Sequence, residues 1–317
     1  MASKDTRSAR IPGAGGSENG LPGFAVPSGR NHALFIAVGE YQNWPGLPGP
    51  ARDVEKIRRV LLDDYGFEEN CVEVLRDGDA TRMGILTAFK RMTEKTGPDD
   101  RLLIYYAGHG HTDEMTCVGF WIPHDGGRDL MMREHWINNQ EVRGYLRALP
   151  CAHVLLVSDS CFSGDLLDPS RTIGVEEGKT NCQLAEALRS REVLTSGASE
   201  PVSDSALGGM SPFAFHLADT LTRNAEGYLT PTTLYDRVSR GVKGQMPLFG
   251  ALEGAGHQRG GAFVFYRKRG TAVDPTDVAR PATHVELQKC PICGRLNRLK
   301  DTFECRACRR EHLCTMH

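Results

Sequence analysis

No stretch of this 317-residue chain approaches the roughly 18 consecutive apolar residues that a membrane span needs. The N-terminus also lacks a positively charged stretch followed by an apolar core, so no secretory signal is expected. An excess of one charge is missing too. The 38 Lys and Arg against 40 Asp and Glu leave a formal net charge of −2, which argues neither for nor against a polyanionic partner. Without a span or an export signal, the expected location is cytoplasmic and reducing. Ten cysteines in such a compartment point to metal binding or catalysis rather than to disulfides. The remaining composition, 40 % hydrophobic and 25 % charged, is that of an ordinary globular protein. The length allows one large domain with something small beside it.

What the chain does have is two short hydrophobic runs that each end in a reactive side chain. The first runs from Arg101 through Tyr105-Tyr106-Ala107-Gly108 to His109 and Gly110. The second runs from His153 through Val157-Ser158 to Asp159-Ser160-Cys161 and on to Gly164. Each reads as a buried strand of a parallel sheet that turns at small residues. Open α/β sheets gather their reactive groups at the carboxyl ends of such strands, which would bring His109 and Cys161 together. A thiol with a free pKa of about 8.5 is mostly protonated at neutral pH, and the thiolate is the nucleophile. A neighbouring imidazole takes that proton and later protonates the leaving amine. The backbone N–H of Gly110, with that of Cys161, is a candidate oxyanion donor. Gly108 and Gly110 would leave room for substrate and allow positive φ. Cys71, Cys117, Cys151 and Cys182 read as buried core residues.

Along the chain, residues 1–29 are rich in Gly, Ser, Pro and Arg and read as a disordered leader. A globular domain follows over 30–269. Strands are expected at Ala33–Val38, Cys71–Leu75, Glu192–Ser196 and Gly261–Tyr266. Helices are expected at Asp53–Leu62, from Thr81 to about Glu94 with Met83, Ile85, Leu86 and Phe89 inward, near Asn139–Leu149, and at Ser211–Arg223. Residues 165–183 mix Asp, Pro, Gly, Glu and Lys without periodicity and read as an exposed loop. Residues 270–284, with Pro275 and Pro281, read as a linker.

The segment 285–317 carries Cys290-x-x-Cys293 and Cys305-x-x-Cys308, a pairing whose spacing fits tetrahedral thiolate coordination of Zn2+. Too short to bury a useful core alone, it needs a metal staple and resembles a zinc ribbon. His312, Cys314 and His317 are spare candidate ligands. Basic residues outnumber acids there, which makes nucleic acid one reading. A ribbon that docks a regulatory protein partner, or only caps the domain, is the favoured one, because net basicity is modest and Phe303 is the lone aromatic.

The two reactive segments resemble the histidine and cysteine motifs of the caspase and metacaspase superfamily of cysteine endopeptidases. Ala33–Tyr41, Leu47–Asp53, Ser196–Glu200 and Ser211–Phe213 are similar to further family segments, so the likeness covers roughly residues 30–269. It implies an α/β fold: a caspase-like sandwich with a six-stranded, mostly parallel sheet and helices on both faces. It also implies peptide-bond hydrolysis by a Cys/His dyad without an obligatory third side chain. Caspases, which cleave after aspartate, have a glutamine two residues before the nucleophile. Asp159 stands there in this chain, as in metacaspases, which prefer Arg or Lys. Asp53 falls where the family has its second specificity acid; the alternative is that it N-caps its helix. Pro50 and Ala107 depart from the polar pocket residues often found in metacaspases.

Many metacaspases need calcium, but Asp125, Asp129, Asp165 and Asp168 do not amount to six to eight oxygens, and no calcium requirement is expected. Family members are commonly held as zymogens by a loop between the nucleophile and the smaller subunit region. Residues 165–190 offer Arg171 and Lys179 as first-choice processing sites, with Arg189 and Arg191 beyond. The competing function class is a catalytically silent caspase-like scaffold that binds protein or nucleic acid through the zinc ribbon.

Overall fold

The computed structural model describes residues 28–160, 166–167, 179–197, 209–252 and 254–268, and four short strands beyond them. In chain order the elements are β1 (Asn31–Ala37), α1 (Pro50–Asp64), β2 (Val72–Arg76), α2 (Arg82–Lys95), β3 (Arg101–Ala107), β4 (Gly110–Thr112), β5 (Gly119–Trp121), β6 (Ile137–Asn138), α3 (Asn139–Ala148) and β7 (His153–Asp159). Then come α4 (Lys179–Glu186), β8 (Ser190–Thr195), α5 (Pro212–Arg223), β9 (Tyr228–Leu229), α6 (Pro231–Gly241), β10 (Leu248–Ala251) and β11 (Phe265–Tyr266).

Six strands form the main sheet in the order β10-β8-β7-β3-β1-β2. All pairs are parallel except β10 with β8. β3 and β7 are buried along their whole length, as continuous apolar runs in a doubly covered sheet should be. Their side chains alternate between two cores. Phe35, Leu103, Tyr105 and Val157 pack with α1, α5 and α6, and Ile36, Ile104, Tyr106 and Leu156 pack with α2 and α3. The fold is thus α/β with helices on both faces.

Local chemistry explains most boundaries. Thr81 caps α2 by accepting from the Gly84 N–H, and Asn138 with Glu141 closes a capping box on α3. Pro212 and Pro231 sit at the first position of α5 and α6, behind the capping side chains of Ser211 and Thr230.

Several expectations need correction. α1 begins at Pro50 with Gly49 as its N-cap, so Asp53 lies one turn inside and does not cap the helix. Met83 is 72 % exposed, because the inner face of α2 is Ile85, Ala88, Phe89 and Met92. The sixth sheet strand is β10. Within the expected strand 261–266, only Phe265–Tyr266 is extended and paired, and its partner is β9. In the stretch expected to be an exposed loop, Leu166 and Leu167 are buried and α4 begins at Lys179, with Cys182 in its core. Cys71 and Cys151 are buried as expected, but Cys117 is exposed in a turn at φ 55°.

The chain divides into two compact units, Met1–Ala272 and Val273–His317. In the second unit, β12 (Leu287–Lys289) pairs antiparallel with β13 (Leu296–Arg298), and β14 (Thr302–Glu304) with β15 (Glu311–Leu313). The expected leader up to residue 27 and the expected linker lie outside the described residues.

Candidate active site

The register of the central strands sets the site. Ala107, the last residue of β3, stands opposite Asp159, the last of β7, and the Gly108 N–H donates to the Asp159 carbonyl at 3.3 Å. His109 follows its strand by two residues, as Cys161 follows Asp159 in the sequence. Cys161 itself lies outside the described residues.

His109 is half-buried and held from three sides. Its backbone N–H donates to the Tyr41 hydroxyl at 2.6 Å, and its carbonyl accepts from the Tyr106 hydroxyl at 2.7 Å. Its Nε2 lies 2.9 Å from the Pro45 carbonyl, 64 residues back in the chain. A carbonyl only accepts, so the proton of the neutral ring sits on Nε2 and leaves Nδ1 as the basic nitrogen. The ring packs 4.8 Å from Tyr41 and 5.6 Å from Trp44, centroid to centroid.

Neither Gly108 nor Gly110 has the positive φ expected of it. Gly108 is required instead by close approach. A Cβ there would stand 2.7 Å from the Tyr41 hydroxyl and 2.9 Å from that of Tyr106. Gly110 starts β4 opposite Trp121. The Ile122 N–H donates to the His109 carbonyl at 3.1 Å, which makes His109 and Ile122 a hydrogen-bonded pair. The next pair is then of the other kind, so the Gly110 N–H points away from β5.

Asp53 and Asp159 are both buried and converge on Ser211, the N-cap of α5. The Ser211 N–H donates to Asp53 Oδ1 at 3.1 Å, and the Ser211 hydroxyl donates to Asp159 Oδ2 at 2.5 Å. The Tyr105 hydroxyl lies 3.3 Å from the same Oδ2. Burial first, then the charges of Asp159 and Asp53, push the Tyr105 phenol well above its ordinary range, so it stays protonated as a donor. Pro50 is the first residue of α1, and Ala107 is the sheet partner of Asp159.

The other end of the sheet holds a different set of charges. Arg101, His153 and Ser190 begin β3, β7 and β8 in register. Arg101 pairs with Glu186 of α4, and its guanidinium lies 5.4 Å over the Tyr266 ring. Burial, then Arg101, pushes the His153 imidazole down to about 3. His153 is therefore neutral, and its 3.5 Å approach to Glu186 is not an ion pair. Burial pushes Glu192 up to about 8, against a 2.7 Å hydrogen bond from the Phe263 N–H. Arg191 is fully buried and donates to the carbonyls of Leu146, Leu149, Cys151, Ala152 and Ser190, closing the end of α3. So placed, Arg191 cannot serve as a processing site in the folded protein, and Arg189 is half-buried with its side chain on the Leu149 carbonyl. Lys179 is the first residue of α4 rather than part of an irregular loop, and Arg171 lies outside the described residues.

Asp125 accepts from the Arg82 N–H at 2.8 Å at the start of α2, and Asp129 is exposed; Asp165 and Asp168 lie outside the described residues. Among the described residues no cluster of three metal-ligating side chains occurs, and no helix is long and apolar enough to cross a membrane. Cys290, Cys293, Cys305 and Cys308 lie outside the described residues. In sequence, each pair falls between two strands that pair with each other.

The sequence signature of the caspase domain matches residues 30–258. The chain belongs to the caspase domain family, a family of cysteine-type peptidases. Among curated relatives, metacaspase-7 of Arabidopsis thaliana is 30 % identical over 163 residues, which cover 44 % of this chain and 36 % of that protein. Metacaspase-1 of Scheffersomyces stipitis is 27 % identical over 151 residues, covering 44 % of this chain and 38 % of the relative. The chain thus spans under two fifths of the length of these relatives. Among solved structures, caspase-1 from Spodoptera frugiperda superposes with a TM-score of 0.54 at 16 % identity, over 83 % of this chain and 99 % of that one. At that identity the likeness concerns the fold alone.

The caspase motifs lead to His109, Asp53 and Asp159. They do not lead to Pro45 or Trp44, or to the roles of Tyr105 and Ser211. Ser211 did carry a signal, since a Ser-Pro pair before an apolar run is a helix start.

Proposed function

We propose that this chain is a cysteine endopeptidase that hydrolyses peptide bonds on the carboxyl side of arginine or lysine. The observation that carries the reading is the shared register of β3 and β7, with His109 two residues beyond one strand end and Cys161 two beyond the other. His109 Nδ1 takes the thiol proton of Cys161, and the sulfur attacks the scissile carbonyl carbon. The N–H groups of Gly110 and Cys161 receive the oxyanion. The C–N bond breaks as the imidazolium returns the proton to the leaving amine. A water molecule, deprotonated by the same ring, then hydrolyses the thioester. Basic specificity follows from two buried carboxylates, Asp53 and Asp159, joined through one serine. A guanidinium or ammonium relieves their mutual repulsion, whereas an acidic side chain adds to it.

Cys161→Ala and His109→Ala are each expected to abolish hydrolysis of an arginine-ended peptide while leaving the fold intact by circular dichroism. Turnover by the Cys161→Ala protein comparable to the parent's would place the nucleophile elsewhere.

Two further features belong to the same reading, one regulatory and one structural. Cleavage at Arg171, in the sequence between β7 and α4, would release new chain ends, an order–disorder switch. In the second unit, each Cys-x-x-Cys falls between a pair of antiparallel strands, which suits four thiolates holding one structural Zn2+.

A further inference from the structure

The nitrogen that serves as base is set by a carbonyl on a surface loop, and a carbonyl on an exposed loop needs its own support. Pro45 and Gly46 are both exposed. The loop closes at its base through the Leu47 N–H on the Gly39 carbonyl at 2.8 Å. Asp77 Oδ1 accepts there from the Gly39 and Glu40 N–H groups, at 2.8 Å each. Above the base, three consecutive residues lean on one neighbouring segment. The Gln42 N–H donates to the His124 carbonyl at 3.0 Å, Asn43 Nδ2 to that of Gly126 at 3.3 Å, and Trp44 Nε1 to that of Gly127 at 3.1 Å. The Gly127 carbonyl also accepts from Nε1 of the buried Trp136, at 2.8 Å. The Trp44 ring lies 5.6 Å from His109 and 5.9 Å from Trp136.

Trp44 therefore joins three parts of the structure: the 124–127 segment, the peptide unit next to the Pro45 carbonyl, and the face of the His109 ring. We propose that Trp44 is a positioning residue for His109. Docked on the Gly127 carbonyl, its indole keeps the Pro45 carbonyl on Nε2–H and so keeps Nδ1 as the basic nitrogen. A hydrogen bond on one ring nitrogen is what fixes which nitrogen of a neutral imidazole carries the proton. If the loop drifts, Nε2 loses its acceptor and the two tautomers mix, so part of the protein presents N–H rather than a lone pair to the thiol. The role assumes the peptidase reading above, but its structural core does not depend on turnover.

Two variants separate the contributions. Trp44→Phe keeps a ring beside His109 and removes the indole donor, while Trp44→Ala removes both. With an arginine-ended peptide, kcat is expected to fall about 5-fold in Trp44→Phe and about 50-fold in Trp44→Ala, part of the roughly 100-fold or more that a general base contributes. KM should stay within about twofold of the parent, and the acid limb of the kcat/KM profile should move. Independently of activity, nitrogen-15 NMR of histidine-labelled Cys161→Ala protein reads the tautomer directly, with His109 assigned by its loss in His109→Gln. The Nε2–H form is expected to dominate at pH 8, and Trp44→Ala in the same background to show both forms. An unchanged His109 tautomer together with an unchanged pH profile in folded Trp44→Phe and Trp44→Ala proteins would overturn the proposal. Absence of hydrolysis in the parent would count against the peptidase reading, and the NMR comparison would still decide the role of Trp44.

Discussion

Asp159 ends β7 inside the sheet, 5 % exposed, where a carboxylate has no reason to be unless something pairs with it. The Ser211 hydroxyl and the Tyr105 phenol donate to it from two different elements, and Ser211 extends the contact to Asp53. Asp159→Asn keeps the shape and an acceptor oxygen but removes the charge that an arginine side chain would meet. Loss of one partner from a buried charge pair costs about 2–5 kcal/mol, so kcat/KM for arginine-ended peptides should fall by at least about 30-fold. Steady-state kinetics checks this, and a change under about threefold would mean that the specificity charge lies elsewhere. At this scale His109 and Asp159 were legible because a small-residue turn after a strand announces them. Pro45 was not, because its contribution is a backbone carbonyl, and any residue carries one.

Among the elements, the legible strands were those buried on both faces, since β1, β3 and β7 are nearly unbroken apolar runs. β10 was missed because it is four residues long, contains Gly250 and lies at the sheet edge, where the apolar demand is weakest. Once β10 fills that edge, the apolar stretch 261–266 packs elsewhere, and the Phe263 N–H goes to the Glu192 side chain. α4 was missed because its eight residues show little more than two turns of pattern. That helix bears on processing. A cleavage site must enter a protease in extended form, and Lys179 would first have to unwind α4, which Glu186 ties to Arg101. Arg171 is therefore the favoured site. After incubation of the purified protein, N-terminal sequencing should find a new end at Thr172, which Arg171→Ala abolishes. A chain that stays whole throughout turnover would contradict activation by cleavage.

For the molecule as a whole, the sheet has two unlike ends. At the carboxyl end, carboxylates and an imidazole stand where substrate would lie. At the amino end, burial holds His153 neutral and Arg191 is spent on backbone carbonyls. The second unit adds two antiparallel strand pairs, and the proposed structural metal is open to a direct test. Metal analysis of the purified chain should give one zinc per chain. Removing all four of Cys290, Cys293, Cys305 and Cys308 should abolish it, and retention of the metal in that variant would refute the assignment. The family signature covers only the first unit, which carries the peptidase chemistry proposed above. The most direct measurement is covalent labelling with an arginine-ended peptide fluoromethylketone, followed by peptide mapping. One label per chain is expected on Cys161, lost in Cys161→Ala and strongly slowed in His109→Ala. Absence of any label, or a label on another cysteine that survives Cys161→Ala, would contradict it.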